Sequence, residues 1–123
     1  MATEADVRRI ALSLPEVTEK PWFNTPGFRV KDKSFLRIRS EAEGALVAFV
    51  SDLGEKEALL ASDPDVFFTT PHYDGSPVVL VNLSAIDLDE LTEVITDAWR
   101  VKAPKRVLKA NEHLLPGASE PSG

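Results

Sequence analysis

The sequence predicts a single α+β domain, a five-stranded antiparallel sheet with helices packed on one face. Three observations carry this prediction. Helical and strand periodicities follow one another in the order α-β-β-β-α-β-β-α. Short hairpin connections between neighbouring strand patterns imply mostly antiparallel pairing. The chain has 123 residues and no cysteine, enough length for one core without disulfide or zinc–thiolate staples.

The first helix opens at Thr3, whose spacing to Asp6 is that of a capping box. Val7, Ile10, Ala11 and Leu14 then form one apolar stripe, and Pro15 ends the helix. Glu16–Gly27, with Pro21 and Pro26, reads as an irregular connector whose Trp22 and Phe23 plug the core edge. Two strands are expected over Phe28–Lys31 and Phe35–Arg39, joined by a three-residue loop. With that loop Phe28, Val30, Leu36 and Ile38 share one face, while Arg29, Lys31, Arg37 and Arg39 share the other with Phe35. A two-residue loop would mix charged and apolar side chains on both faces.

Ala45–Val50 is apolar at every position, as expected for a central strand. A second helix starts from Asp52, a capping residue with Glu55 three positions on, and Asp63-Pro64 breaks it. Val66–Thr69 and Val78–Leu83 are strands four and five, with the Pro71–Pro77 loop between them. The third helix has the clearest pattern: Asp87 caps it, and Leu91, Val94, Ile95, Ala98 and Trp99 make its stripe. Pro104 stops it, and a short turn from Lys105 to Ala110 follows. Residues 1–110 thus make the domain, and 111–123 read as a mobile tail.

Fourteen Lys and Arg against twenty Asp and Glu give a net charge of −6, but the cations are clustered. Arg29–Arg39 holds five cations against Asp32 alone, and Arg100–Lys109 holds five with no acid. Screening within about 10 Å lets such patches act locally on an acidic chain. The N-terminus lacks a secretory pattern and no apolar run reaches the ~20 residues of a membrane span, so a cytoplasmic chain without membrane contact is expected.

The stretches ALSLPEVTE (Ala11–Glu19), Trp22-Phe23, GFRV (Gly27–Val30), DPDVFF (Asp63–Phe68), HYDG (His72–Gly75), VVLVNL (Val78–Leu83), IDLDEL (Ile86–Leu91) and AWRVKAPK (Ala98–Lys105) together resemble the MmcQ/YjbR family of small bacterial proteins. That resemblance spans about residues 4–109 and implies a fold similar to CyaY, the bacterial frataxin. It also implies a DNA-binding role through β-hairpin "double wings". It supplies no catalytic motif.

The hairpin cations admit two readings: a solvated face whose arginines pair with acids such as Glu41 and Glu43, or a surface meeting DNA phosphates. The nucleic-acid reading names Arg29, Lys31, Arg37 and Arg39, with Lys105 and Arg106 as a second cluster. The alternative is a small-ligand or protein-interaction domain with a pocket at Trp22, Phe23, His72 and Tyr73. His72, Tyr73, Asp74 and Ser76 include types suited to acid–base chemistry. Without a nucleophile elbow they read as a turn packed over the sheet, and a non-enzymatic protein is expected. The other histidine, His113, lies in the tail, so no histidine-rich metal set is expected. Glu4 and Asp6 on the first helix are too few carboxylates for iron. The glycines form no phosphate loop, so no cofactor is expected. Duplex DNA is the expected partner, met by a monomer or weak homodimer.

Overall fold

The computed structural model describes residues 2–22, 25–39 and 45–111, with Trp22 as backbone only. Its elements are α1 (Glu4–Leu12), β1 (Val17–Trp22), β2 (Thr25–Val30), β3 (Lys33–Ile38), β4 (Ala45–Phe49), α2 (Leu53–Ser62), β5 (Phe67–Phe68), β6 (Val78–Asn82), α3 (Leu88–Lys102) and α4 (Lys105–Asn111). The strands form one antiparallel sheet in the order β1-β2-β3-β4-β6-β5. The fold is therefore α+β with six strands, one more than the sequence pattern suggests.

The extra strand is β1, placed where two prolines argue for a connector. Pro21 and Pro26 stand opposite each other beside the Trp22–Thr25 pair, at the end of the ribbon where β1 leads into β2. β1 is a sheet edge and Pro26 lies beyond the first β2–β3 pair, so a missing N–H is tolerated at both. Arg8 of α1 anchors this edge with a two-pronged contact, Nε to Glu19 Oε1 and Nη2 to Glu19 Oε2, each 2.9 Å. The other edge, β5, is two residues long. A charged, proline-bearing strand and a very short one are both forms of edge protection.

The helix starts follow their capping signals. Thr3 and Asp6 form a full reciprocal box at α1. Asp52 and Asp87 accept from the Glu55 and Glu90 amides at 2.8 and 2.7 Å, which fixes the first turns of α2 and α3. The α3 stripe of Leu91, Val94, Ile95, Ala98 and Trp99 is buried as the periodicity requires. Trp99 Nε1 donates to the Pro15 carbonyl at 2.9 Å, tying α3 to the end of α1.

The main core lies between these helices and the inner sheet face, with Phe28, Val30, Leu36, Ile38, Val79 and Val81 pointing into it. A smaller cluster on the outer face comprises Val47, Val78 and Leu80, with Phe49, Phe68 and Tyr73 packed against it. β4 lies between β3 and β6 and contributes to both clusters, which explains its unbroken apolar sequence. Among the described residues, no helix is long and apolar enough to cross a membrane.

Candidate functional site

The β2–β3 hairpin departs from simple alternation, and the departure sets the positions of the arginines. Its turn is Lys31-Asp32, two residues with φ of 48° and 72°, as a type I′ turn requires. The three-residue loop expected from the sequence is therefore corrected. The charge mixing that a shorter loop would cause is avoided by a bulge. Phe28 faces Leu36 and Arg29 faces Ser34, leaving Phe35 as the extra residue. Phe35 and Leu36 are adjacent in sequence, yet both are 0% exposed in the main core. Phe35 is thus not part of the cationic face.

The two-residue turn also keeps like charges from facing each other. The three-residue loop would set Arg29 opposite Arg37; with the two-residue turn Arg29 faces Ser34, and beyond the bulge Arg37 faces Gly27. Lys31 drops out of the face into the turn, where its Nζ lies 3.5 Å from Glu16 Oε1. Lys20 takes its place. β1 pairs Thr18 with Arg29 and Lys20 with Gly27, so Lys20 belongs to the same outer row as Arg37. Sequence reasoning missed Lys20 because it read residues 16–27 as a connector.

The outer row continues from Arg37 through Val47 and Leu80 to Phe68. Tyr73 packs on this apolar half, and its hydroxyl accepts from Arg37 Nη1 at 3.0 Å. Arg37 Nε also donates to Thr25 Oγ1 at 3.4 Å. The Arg37–Tyr73 contact joins two regions that the sequence offered as separate sites. Arg29, Arg37 and Arg39 are all half-buried, so each guanidinium stem is held against the sheet.

The Pro71–Pro77 loop is a built turn. Tyr73 and Asp74 amides donate to the Thr70 carbonyl at 2.9 and 3.0 Å, the Ser76 amide donates to the Tyr73 carbonyl at 3.0 Å, and Gly75 has φ of 85°. Lys56 of α2 locks it. This lysine is 4% exposed, and its Nζ donates to the carbonyls of Tyr73 at 2.6 Å and Ser76 at 3.0 Å. An ammonium buried this far needs such acceptors. Lys56 was also missed, although its spacing to Leu59 and Leu60 puts it on their helix face. His72 is exposed and meets the Tyr73 ring edge-on, with centroids 4.7 Å apart.

Lys105 and Arg106 are exposed on α4, a helix that joins the main core through Val107. They belong to the helical layer, and no described contact brings them to the outer-face arginines. Phe23, Glu41, Glu43, His113 and the Trp22 side chain lie outside the described residues. Asn111, expected in the tail, ends α4, and 112–123 lie outside the described residues. Among the described residues no group of three or more His, Cys, Asp or Glu has the arrangement of a metal site.

Comparison with known proteins places the chain in a family. The chain is 41% identical to the uncharacterized protein Rv2570 of Mycobacterium tuberculosis (strain H37Rv), over 89% of this chain and 95% of that protein. The uncharacterized protein Mb2600 of Mycobacterium bovis matches with the same identity and coverage. Among solved structures, Deinococcus radiodurans protein DR2400, with a DUF419 domain, superimposes with a TM-score of 0.73. It shares 21% identity, and the match covers 100% of this chain and 96% of that one, a likeness of fold. The YjbR profile matches residues 12–101, nearly all of the sheet and α3, and the chain belongs to the YjbR family.

Proposed function

We propose that this protein is a non-enzymatic nucleic-acid-binding or regulatory module that meets duplex DNA phosphates on its outer sheet face. Lys20, Arg29, Arg37 and Arg39 make the contacts, as a monomer or weak homodimer. The observation that carries the reading is the fixed Arg37, whose guanidinium is oriented by Thr25 and Tyr73 hydroxyls in the middle of the outer row. Pre-oriented guanidinium groups suit phosphate oxygens, and a two-stranded ribbon can follow a groove. The DNA-binding role implied by the family resemblance points the same way.

Four phosphate contacts give a slope of log K against log salt of about −3.6. Duplex-DNA titrations at two salt concentrations test this. The parent should bind at low salt with that slope, and the Lys20, Arg29, Arg37 and Arg39 to Gln variant should lose binding while still unfolding as one cooperative, folded domain. A folded variant that binds as tightly as the parent rules the surface out.

A second reading draws on the same corner. His72 stands edge-on to Tyr73, itself bonded to Arg37, a grouping that suits a small planar anion. Ligand screening by thermal shift separates the two: stabilisation by small anions without DNA binding favours the second.

A further inference from the structure

The opposite layer of the molecule has a cleft of reversed charge. It opens between α2, the end of β4 and α3, with a volume of about 320 Å³. Its floor is apolar: Val50, Phe67 and Val94 are buried members of the main core, and Leu59 packs against them. Among the described residues, its rim carries four carboxylates, Glu55 from α2 and Glu90, Glu93 and Asp97 from one stripe of α3, against Arg100, with the Lys102 ammonium beside it over the Phe49 ring. Arg100 is engaged, with Nη1 3.2 Å from Asp97 Oδ1. Among the described residues, the Glu90 and Glu93 side chains have no hydrogen-bond or ion-pair partner.

We propose that this cleft binds a small organic cation, an ammonium head group on an apolar or aromatic body. The head sits between Glu90 and Glu93, and the body lies on Val94, Phe67 and Leu59. Three features select this chemistry. Burial, followed by the charges of Asp87, Asp63 and Glu93, holds the Glu90 carboxyl above its usual range, a penalty that a bound cation relieves. The apolar floor and the lack of a three-ligand cluster among the described residues favour an organic cation over a bare metal ion. The cleft's aromatic wall, Phe49, already holds an ammonium: Lys102 Nζ lies 4.4 Å from its ring centroid. The volume lies at the lower end of the small-molecule range, about 300–1,000 Å³, and is too small for a protein segment.

The test is an amide-resolved NMR titration of the full chain with three probes of one shape: phenethylamine, its neutral N-acetyl derivative and 3-phenylpropionate. The expected result is saturable shifts at Leu59, Phe67 and Val94 with the amine. The neutral and anionic probes should bind at least about tenfold more weakly. The Glu90→Gln/Glu93→Gln variant, changed only at the cleft rim, should keep its amide spectrum elsewhere and lose amine affinity by about tenfold or more. Three results would overturn the proposal: no saturable shift with the amine, equal binding of the N-acetyl probe, or unchanged affinity in the double variant. Because none of these probes reads DNA, failure here leaves the outer-face reading standing, and the converse holds.

Discussion

The arginine face and the carboxylate cleft lie on opposite layers, and their charges are positioned by different means. Outer-face cations sit on strands, so their direction depends on register, turn length and one bulge. The Arg37 guanidinium is fixed by partners from β2 and the Tyr73 loop, 12 and 36 residues away in sequence. Cleft acids sit on helices, and the order Glu90, Glu93, Asp97 follows directly from helical spacing. The Arg37 charge is therefore held by long-range contacts, whereas the cleft acids are placed by local helix geometry. Disturbing a remote clamp should disorganise the first surface and leave the α3 acid stripe intact.

Lys56→Met provides the largest expected effect. It leaves two loop carbonyls without their ammonium donor, costing about 3–6 kcal/mol, since hydrogen bonds from charged groups contribute roughly 1.5–3 kcal/mol each. Urea unfolding measures the loss, and faster hydrogen exchange of the Tyr73 and Ser76 amides should accompany it. An unchanged unfolding midpoint would show that the loop holds itself in place. Replacing Lys31-Asp32 by Asn-Gly has the opposite sign. Both residues have positive φ, so this pair, favoured in type I′ turns, should stabilise the hairpin by roughly 1 kcal/mol. A loss of stability would mean that the Lys31–Glu16 ion pair outweighs the turn conformation.

Tyr73→Phe removes a single half-buried hydrogen bond to Arg37 and should cost about 0.5–1.5 kcal/mol. Chemical shifts of the Arg37 side chain should move, while those of Glu90 and Glu93 should not. Smallest is the pH effect at the cleft. A carboxyl raised in the folded state binds its proton more tightly there than in the unfolded chain. Stability from Glu90 therefore falls as pH rises from the unfolded value through the raised folded one. Glu90→Gln should flatten that slope and raise the melting temperature slightly at neutral pH. Glu19 behaves oppositely: Arg8 holds its carboxyl below the usual range, so its contribution is lost as pH falls through that lowered value. Melting curves across pH for parent and Glu90→Gln distinguish the two signs.

What the sequence makes legible follows the same division. Caps at Thr3, Asp52 and Asp87 and the Leu91–Trp99 stripe are local signals, and the helices form where those signals place them. β4 is recognisable as central because both of its faces are apolar. β1 is hidden by Pro21, which an edge strand tolerates, and by Pro26 opposite it on β2. The hairpin's true turn is hidden by the Phe35 bulge, because alternation cannot register two neighbouring residues pointing the same way. Lys20 was masked by the first of these errors and Lys31 misplaced by the second. The Arg37–Tyr73 contact has no local signature at all, since each residue reads as an ordinary member of its own segment. Lys56 had one, a cation on an otherwise apolar helix stripe.

The central claim is that outer-face arginines contact phosphates individually. The most direct test is the salt dependence of duplex-DNA affinity for the parent and for Arg37→Gln, with Glu90→Gln as the opposite-layer control. The account predicts that Arg37→Gln makes the slope of log K against log salt shallower by about 0.9, one phosphate contact, whereas Glu90→Gln leaves it unchanged. Equal slopes for the parent and Arg37→Gln would contradict it.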